Sequence, residues 1–208
     1  MPHPRTQNLN VAPAGIANTT AVIDIIASAF HHDPTWSWAF PDPAIRKHWW
    51  KFCVEEALRY PWTFATGGFE AVSIWIPPFG SEFSSDGEQR IPSLLHDLVD
   101  SRASEVEELL RLFDQAHPRR EPHFHLSLLG TAAAHRGRGL GMALLSENLA
   151  RIDTEQMPVY LESSNPDNNA RYESVGFTQV RSFRAPGNGP IVTGLWREAR
   201  GRTPAHLD

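Results

Sequence analysis

Residues 125–145 have the sequence HLSLLGTAAAHRGRGLGMALL, in which a strand pattern, a glycine-rich loop and a helix pattern follow one another. From 124 to 128 every second residue is large and apolar, as in a strand whose two faces meet different surroundings. Leu145, Leu149 and Ile152 then recur at helical spacing, which gives the helix an apolar face to pack on a sheet. This unit predicts an α/β protein.

The glycine-rich loop predicts an anion site. Gly137, Gly139 and Gly141 carry no side chains where successive backbone N–H groups converge on the first helical turn. These unpaired donors and the positive end of the helix dipole favour a phosphate, and Arg136 and Arg138 add positive charge. A glycine-rich turn without a ligand is the alternative interpretation.

Two common phosphate-binding motifs do not fit this loop. A dinucleotide-binding fingerprint needs Gly-x-Gly-x-x-Gly, whereas Met142 follows Gly141 here and the loop lies far into the chain. A loop of the Walker type needs Gly-Lys-Ser/Thr, which is absent. The phosphate ligand must therefore be sought in another class.

The composition is that of an ordinary globular protein. The 208 residues are 41% hydrophobic and 21% charged, which suits one domain with a sizeable core, or one domain carrying an insertion. The net charge of −5 provides no electrostatic footprint for nucleic acid and does not suggest a membrane surface. We expect neither nucleic acid nor a membrane as a partner.

Cysteine usage and apolar runs favour a cytoplasmic protein. Cys53 is the single cysteine, so intramolecular disulfides are excluded and a reducing compartment is the simpler setting. No apolar run approaches about 18 residues, and the polar segment Met1–Asn10 has no signal-peptide core.

The N-terminal half alternates helix and strand patterns with polar turns. Asn18 can cap the first helix, and Gly67-Gly68 can turn a hairpin. In chain order we predict a short strand near 9–12, a helix from about Thr19 that ends by Pro34, a helix at 45–60, a hairpin of strands 62–66 and 69–76, a surface loop at 80–90, and an acidic helix at 91–116 interrupted near 100–103.

The C-terminal half adds a second strand-to-helix unit. Residues 158–162 alternate as a strand, and Asn165-Pro166-Asp167 supply a cap, a first-turn proline and an acid for a short helix. Gly176 suits the left-handed position at the end of that helix. Strand patterns at 177–183 and 191–196 close the chain.

Both units carry motifs of one family. The loop RGRGLG at 136–141 resembles the Gln/Arg-x-x-Gly-x-Gly/Ala loop of the GNAT (GCN5-related) N-acetyltransferases, and LESSN at 161–165 followed by NARYESVGF at 169–177 resembles their second motif. Within the family, the run from 121 to 177 is most similar to puromycin N-acetyltransferase-like members, whereas the N-terminal half matches only in outline. The family's Val-x-Pro before the loop is replaced by Gly-Thr-Ala at 130–132.

The resemblance implies a fold and a co-substrate. The expected fold is α/β, with a mixed, mostly antiparallel central sheet and helices on both faces. A single domain is expected at 15–200, between a loose segment at 1–14 and a tail at 201–208. The family uses acetyl-CoA without a metal, and a homodimer is in keeping with it.

The resemblance also assigns the cofactor site. Backbone groups on the first motif strand would bind pantetheine, and one N–H there could polarise the thioester carbonyl. The loop would hold the pyrophosphate, and asparagines of the second motif would bind the pantetheine or phosphate arm. These cofactor-binding residues are Leu128, Leu129, Gly130, Arg136, Gly137, Arg138, Gly139, Leu140, Gly141, Met142, Asn165 and Asn169.

Two side chains are candidates for proton transfer. An acceptor amine must be neutral to attack, and Glu162 could take its proton directly or through water. Tyr172, with an ordinary pKa of about 10, could protonate the departing thiolate. The alternatives are a structural hydrogen-bond acceptor for Glu162 and a core aromatic for Tyr172.

Trp36, Trp38 and Phe40 could wall the acceptor pocket, since such a segment commonly lines it in this family, or they could simply fill core. His123 and His125 share a strand face and could bind metal or relay a proton. Without a third ligand in the pattern they are more simply structural, and we expect no metal.

The expected function is acetyl-CoA-dependent N-acetylation of a small-molecule amine, such as an antibiotic-like or detoxification substrate, by direct transfer in a ternary complex. An enzyme that acetylates protein N-termini or lysines is one alternative. A non-catalytic acyl-CoA-binding protein of the same fold is the other.

Overall fold

The computed structural model describes residues 9–119 and 121–201. Within these ranges the chain forms seven strands and seven α-helices. The strands are β1 (Val11–Pro13), β2 (Thr63–Thr66), β3 (Ala71–Ile76), β4 (Phe124–Thr131), β5 (Val159–Ser163), β6 (Thr178–Arg184) and β7 (Ile191–Arg197). The helices are α1 (Thr19–Ala29), α2 (Pro34–Ala39), α3 (Pro43–Ala57), α4 (Ser85–Val99), α5 (Ala103–Ala116), α6 (Leu140–Thr154) and α7 (Asn169–Glu173).

The strands form one sheet in the order β1-β2-β3-β4-β5-β7-β6. Only β4 and β5 run parallel, because α6 crosses over between them, and every other neighbouring pair is antiparallel. The mixed, mostly antiparallel sheet predicted from the sequence is therefore confirmed.

The two terminal segments are described only in part. Of the loose segment expected at 1–14, residues 9–14 are described, and β1 lies there, with Val11 opposite Thr66 of β2. Of the tail expected at 201–208, only Gly201 is described. The remainder of both segments lies outside the described residues.

The helices differ from the sequence pattern mainly between 80 and 116. The loop predicted at 80–90 is helical from Ser85, because the Ser84 hydroxyl caps α4 by accepting the N–H of Gly87 at 3.0 Å. The acidic helix predicted at 91–116 is two helices, since a 3-10 turn at Asp100–Arg102 separates α4 from α5.

Helices cover both faces of the sheet. On one face Ile26 of α1 and Trp49 and Trp50 of α3 are buried in a core that also contains side chains of α4 and α5. On the other face α6 contributes Leu144 and Leu149 to a second core, which is completed by β4, β5 and β7. The sheet is thus the middle of three layers.

A β-bulge interrupts β4 at Ser127. Trp75 of β3 lies opposite Leu126 and Ile74 lies opposite Leu128, so Ser127 has no partner of its own. The extra residue shifts the alternation of side chains between the two faces of the sheet. Leu126 therefore packs in the α6 core, whereas Leu128 packs in the α1 and α3 core. This corrects the sequence pattern, which placed both leucines on one face.

The parallel strands β4 and β5 part beyond the bulge. Their ladder is limited to three pairs, from Phe124 opposite Val159 to Leu126 opposite Leu161. Farther along, β4 keeps its pairing with β3 and β5 keeps its pairing with β7. A wedge therefore opens in the sheet, with Ser127 on one side and Glu162 on the other.

Candidate active site

A cavity of about 1410 Å³ passes through this wedge. The glycine loop, residues 136–142, lies at one end, and the side chains of His125 and Glu162 lie at the other. Leu128 and Leu129 line it from β4, and Asn165 lines it from the turn after β5. Most of the predicted cofactor residues thus border one continuous space.

The glycine loop has the backbone conformation that its sequence suggested. Gly137 and Gly139 have φ of 76° and 75°, in the left-handed region where a side chain would be strained. Gly139 is the N-cap of α6. At Gly141 a Cβ would lie 2.7 Å from Thr131 Oγ1, so this glycine lets the helix start close to the end of β4.

The loop arginines are engaged by protein groups. Arg136 donates to the backbone carbonyl of Ala29 at the end of α1 and so anchors the loop. Arg138 Nη1 lies 2.9 Å from His135 Nδ1, and Arg138 does not line the cavity. The loop therefore presents mainly backbone N–H groups to a ligand, with the arginines as nearby charges.

Gly130 and Asn169 lie outside the cavity lining. A Cβ at Gly130 would come within 2.9 Å of Ala29 Cβ, so glycine here permits α1 to pack closely on β4. Asn169 Nδ2 donates to Thr193 Oγ1 of β7 at 3.1 Å, which holds the start of α7 against the sheet. The Oδ1 atom of Asn169 is buried and has no hydrogen-bond partner among the described residues.

Only one of the three predicted pocket aromatics lines the cavity. Trp36 lines the cavity, whereas Phe40 is fully buried. Trp38 instead packs against the guanidinium of Arg102, which lies 5.0 Å from its ring centre. The expectation for Trp38 and Phe40 is therefore corrected. Trp38 is two residues from Trp36 and points to another side of α2, whereas Phe40 follows the end of the helix and stacks on Trp36, with 6.4 Å between ring centres. The other aromatic walls come from elsewhere in the chain and include Trp49, Trp50, Phe83 and Phe113.

Asp33 fixes α2 beside the end of β5. Its carboxylate accepts the N–H groups of Thr35 and Trp36, both at 3.0 Å, and also the hydroxyl of Ser164 at 2.7 Å. Burial raises the pKa of Asp33, although these hydrogen bonds oppose the shift. The cap thereby places Trp36 next to the second motif.

Five titratable side chains meet where β4 and β5 part, and we call His117, His123, His125, Glu82 and Glu162 the histidine cluster. The two strand histidines were candidates from sequence, and so was Glu162. The sequence patterns did not indicate Glu82, which lies before α4, or His117, which follows α5. The cluster is therefore assembled from four separate segments of the chain.

His125 bridges the two carboxylates. Its Nε2 lies 2.8 Å from Glu162 Oε2, and its Nδ1 lies 3.4 Å from Glu82 Oε2. The Ser127 hydroxyl donates to the other oxygen of Glu82. Burial alone would lower the pKa of His125, but the two carboxylates outweigh it and raise that pKa. Burial alone would raise the pKa of Glu162, but His125 and His117 lower it.

The other two histidines form a directional pair. His123 Nδ1 lies 2.7 Å from the Glu121 carbonyl, which can only accept, so Nδ1 carries the proton. Burial lowers the pKa of His123, so its Nε2 accepts from His117 Nε2 at 3.1 Å. His117 then presents Nδ1 to Glu162 Oε1 at 3.9 Å.

Tyr172 borders the same cavity from α7. Its ring packs edge-on against Phe177, with 6.1 Å between ring centres. Burial, followed by the charge of Asp33, raises the pKa of Tyr172 to about 12. The phenol is therefore protonated at neutral pH and has a proton to donate.

No protein-family model matches the chain. Its structure is nevertheless similar to solved acetyltransferases over almost its whole length. One from Corynebacterium glutamicum, described as histone acetyltransferase HPA2 and related acetyltransferase, is 22% identical, with 95% of this chain and 99% of that chain covered and a TM-score of 0.63. The Drosophila melanogaster polyamine N-acetyltransferase is 15% identical, with 92% and 100% covered and a TM-score of 0.66.

A third similar structure is the NatC complex bound to Gag peptide and CoA, at 13% identity with 92% and 99% covered and a TM-score of 0.51. The chain has the GNAT fold. The expected fold class is thereby confirmed, and at these identities the likeness concerns the fold alone. Within the described residues of this GNAT-fold chain, none of the helices has the length and apolarity that crossing a bilayer requires.

Proposed function

We propose that this chain transfers the acetyl group of acetyl-CoA to the amine of a small molecule within a ternary complex. The observation that carries the proposal is the position of Glu162 at the wedge between β4 and β5. There it shares one cavity with the glycine loop and with Tyr172. A phosphate-binding loop, a carboxylate and a protonated phenol around one space are the groups that acyl transfer to an amine needs.

The residues present fit acetyl-CoA. Gly137 and Gly139 hold the left-handed turn that directs backbone N–H groups to one point, and the α6 dipole adds positive potential for the pyrophosphate. On β4, the edge beyond Leu126 has no ladder partner on β5. Every second residue there, Leu129 among them, points its backbone groups to this open edge, where they are available to an amide-bearing arm. One of these N–H groups could stabilise the developing oxyanion. The CoA in the NatC structure supports the assignment.

Glu162 is the proposed acceptor of the amine proton, directly or through a water. His125 holds its Oε2, and the side chain of Glu162 is only 6% exposed. The lowered pKa of Glu162 means that it does not retain a proton, so the proton passes on. His117 is suited to carry it out of the site, because it lies 3.9 Å from Oε1 and its side chain is 30% exposed. Tyr172 protonates the leaving thiolate.

The lining of the cavity near Glu162 favours a small amine that carries positive charge. Trp36, Trp49 and Phe113 offer aromatic surface, while Glu82 and Glu162 supply negative charge for a cationic group. The Drosophila neighbour is a polyamine N-acetyltransferase, which supports this class. The resemblance of residues 121–177 to puromycin N-acetyltransferase-like members adds aminonucleosides as candidates. A cytoplasmic location and a homodimer remain predictions from the sequence.

Acetylation of a protein is the second candidate. The Corynebacterium neighbour is described as a histone acetyltransferase, and the NatC structure holds a peptide. We rank it second because the aromatic and acidic lining around Trp36 and Glu82 matches a small cationic amine.

The test is CoA release from acetyl-CoA in the presence of polyamines, arylalkylamines, aminonucleosides, aminoglycosides and short peptides. Tyr172→Phe should lower kcat at least tenfold, about 1.4 kcal/mol of barrier, without weakening acetyl-CoA binding. Thr178→Val is the matched control, since it removes an exposed hydroxyl on β6 away from the cavity. Acetyl-CoA binding without release for any acceptor would instead support the non-catalytic alternative.

A further inference from the structure

The histidine cluster brings three ligand atoms around one point. One ring nitrogen each from His117 and His125 and one carboxylate oxygen of Glu162 all lie within 4.8 Å of one another. We propose that these three side chains bind one divalent cation of the zinc class. Acetyl transfer as proposed above does not require such an ion, so this is a separate property of the chain.

The spacing suits the ion. Zinc–nitrogen bonds are about 2.0–2.1 Å long, so ligand atoms of a tetrahedral site lie about 3.3 Å apart. His125 Nε2 is 2.8 Å from Glu162 Oε2, and His117 Nδ1 is 3.9 Å from Glu162 Oε1. These two distances run to different oxygens of Glu162, and the three ligand atoms lie within 4.8 Å of one another, so side-chain rotations must draw them closer around the ion.

Both rings are already oriented by outer partners. A metal-binding histidine usually donates its second ring N–H to a neighbouring acceptor, which fixes the tautomer and the direction of the ligand lone pair. His125 has Glu82 Oε2 at 3.4 Å from Nδ1, and His117 has His123 Nε2 at 3.1 Å from its Nε2. The atoms left facing the centre are His125 Nε2 and His117 Nδ1.

The fold brings His117 to this centre through the end of α5. The Tyr160 hydroxyl donates to the Ala116 carbonyl at 3.2 Å, which ties the last residue of α5 to β5. His117 follows in an extended conformation, with its ring against that of His125, 4.9 Å between centres. Its position is therefore set by the same strand that carries Glu162.

Charge and access favour a dication with nitrogen affinity. Glu82 and Glu162 place two carboxylates beside one imidazole and so give the centre negative charge. All three ligands line the cavity, so a fourth position is open to it. Two imidazoles and one carboxylate suit zinc, copper, nickel or cobalt, whereas magnesium and calcium prefer oxygen ligands.

The test measures Zn²⁺ binding directly, without substrates. The full chain is stripped with EDTA and titrated with Zn²⁺ by calorimetry and by competition with a chromophoric chelator. We expect one Zn²⁺ per chain, with affinity weakened at least tenfold in His117→Ala and in Glu162→Gln. The second substitution keeps a hydrogen-bond acceptor for His125, and thermal melts establish that both variants are folded.

Matched controls separate this site from other histidines. His96→Ala removes an imidazole on α4 whose side chain is 71% exposed, and it should bind as wild type does. A variant lacking His3 and His206, which lie outside the described residues, should do the same, and Mg²⁺ should not compete. The absence of saturable Zn²⁺ binding, or unchanged affinity in His117→Ala, would overturn the proposal.

An effect on catalysis is a corollary that rests on the proposed function. Bound Zn²⁺ occupies Glu162 and so should inhibit acetyl transfer in wild type, with the inhibition reversed by EDTA. Binding without inhibition would contradict the role of Glu162 as proton acceptor while leaving the metal site in place. The two proposals can therefore fail separately.

Discussion

The two ends of the cavity are built in different ways. The glycine loop is one continuous run of backbone, and its conformation follows from glycines at Gly137 and Gly139, where φ is positive. The histidine cluster is an arrangement of side chains from four segments, joined only by the tertiary fold. A site made of backbone can be predicted from a short stretch of sequence, whereas a site made of side chains depends on how distant elements pack.

The largest expected effect comes from the side-chain end. Glu162→Gln keeps the shape of the residue but removes its charge and basicity, so we expect kcat/KM for the acceptor to fall about 100-fold or more in EDTA-treated enzyme. Affinity for acetyl-CoA, measured by calorimetry, should change less than threefold. A large loss of acetyl-CoA affinity in this variant would show that the two ends are not independent.

The second prediction concerns the glycine loop at the other end of the cavity. Gly139→Ala forces a side chain into a left-handed conformation at a cost of about 1–2 kcal/mol, which should raise the Kd for acetyl-CoA about tenfold. Gly15→Ala is the control, because Gly15 is extended with φ of −124° and a Cβ there meets nothing within 4 Å. Equal acetyl-CoA affinity in both variants would argue against phosphate binding at the loop.

Glu82 gives a smaller effect that depends on the acceptor. Glu82→Gln retains an oxygen for the Ser127 hydroxyl but removes a negative charge from the acceptor side. KM should rise about threefold to tenfold for a polyamine and little for an arylalkylamine, since only the polyamine keeps a second cation. Glu105→Gln, an exposed change on α5, should alter neither KM. An equal rise for both amines would contradict a role in charge recognition.

The smallest expected effect is that the ratio of kcat for wild type to kcat for Tyr172→Phe does not change with pH. Because burial raises the pKa of Tyr172 to about 12, its phenol stays protonated throughout the range from pH 7 to pH 10. The ratio of kcat for wild type to kcat for Tyr172→Phe should therefore be flat across that range. A ratio that declines with a midpoint near the ordinary tyrosine pKa of about 10 would mean that the phenol is not buried during turnover.

The same contrast explains what could be predicted from the sequence. Glycine positions and strand alternation indicated the loop and the strand that carries Glu162, because these are local features, whereas the expected sheet came from the resemblance of the motifs to the GNAT family. Trp38 and Phe40 do not line the cavity, because Trp38 points to another side of α2 than Trp36 and Phe40 is buried after the end of that helix. The helix within 80–90 was missed because a single cap at Ser84 decided its start.

The histidine cluster was out of reach for a related reason. His123 and His125 were visible as a pair, but their partners are separated from them by turns that carry no pattern of spacing. His117 reaches Glu162 only because α5 ends on β5, through the Tyr160 hydroxyl. Contacts of this kind form only when the helices and strands pack together, so local sequence patterns do not predict them.

The bulge at Ser127 divides β4 into two halves, in which residues of the same parity point to opposite faces of the sheet. Upstream of it, odd-numbered residues such as His125 face the side of the sheet that α1 and α3 cover, and downstream the even-numbered Leu128 faces that side. Deleting Ser127 would restore one alternation along the whole of β4, and the side chains of one half of the strand would then lie on the opposite face of the sheet. The single extra residue therefore decides which side chains of β4 reach the cavity from that face, His125 before the bulge and Leu128 after it.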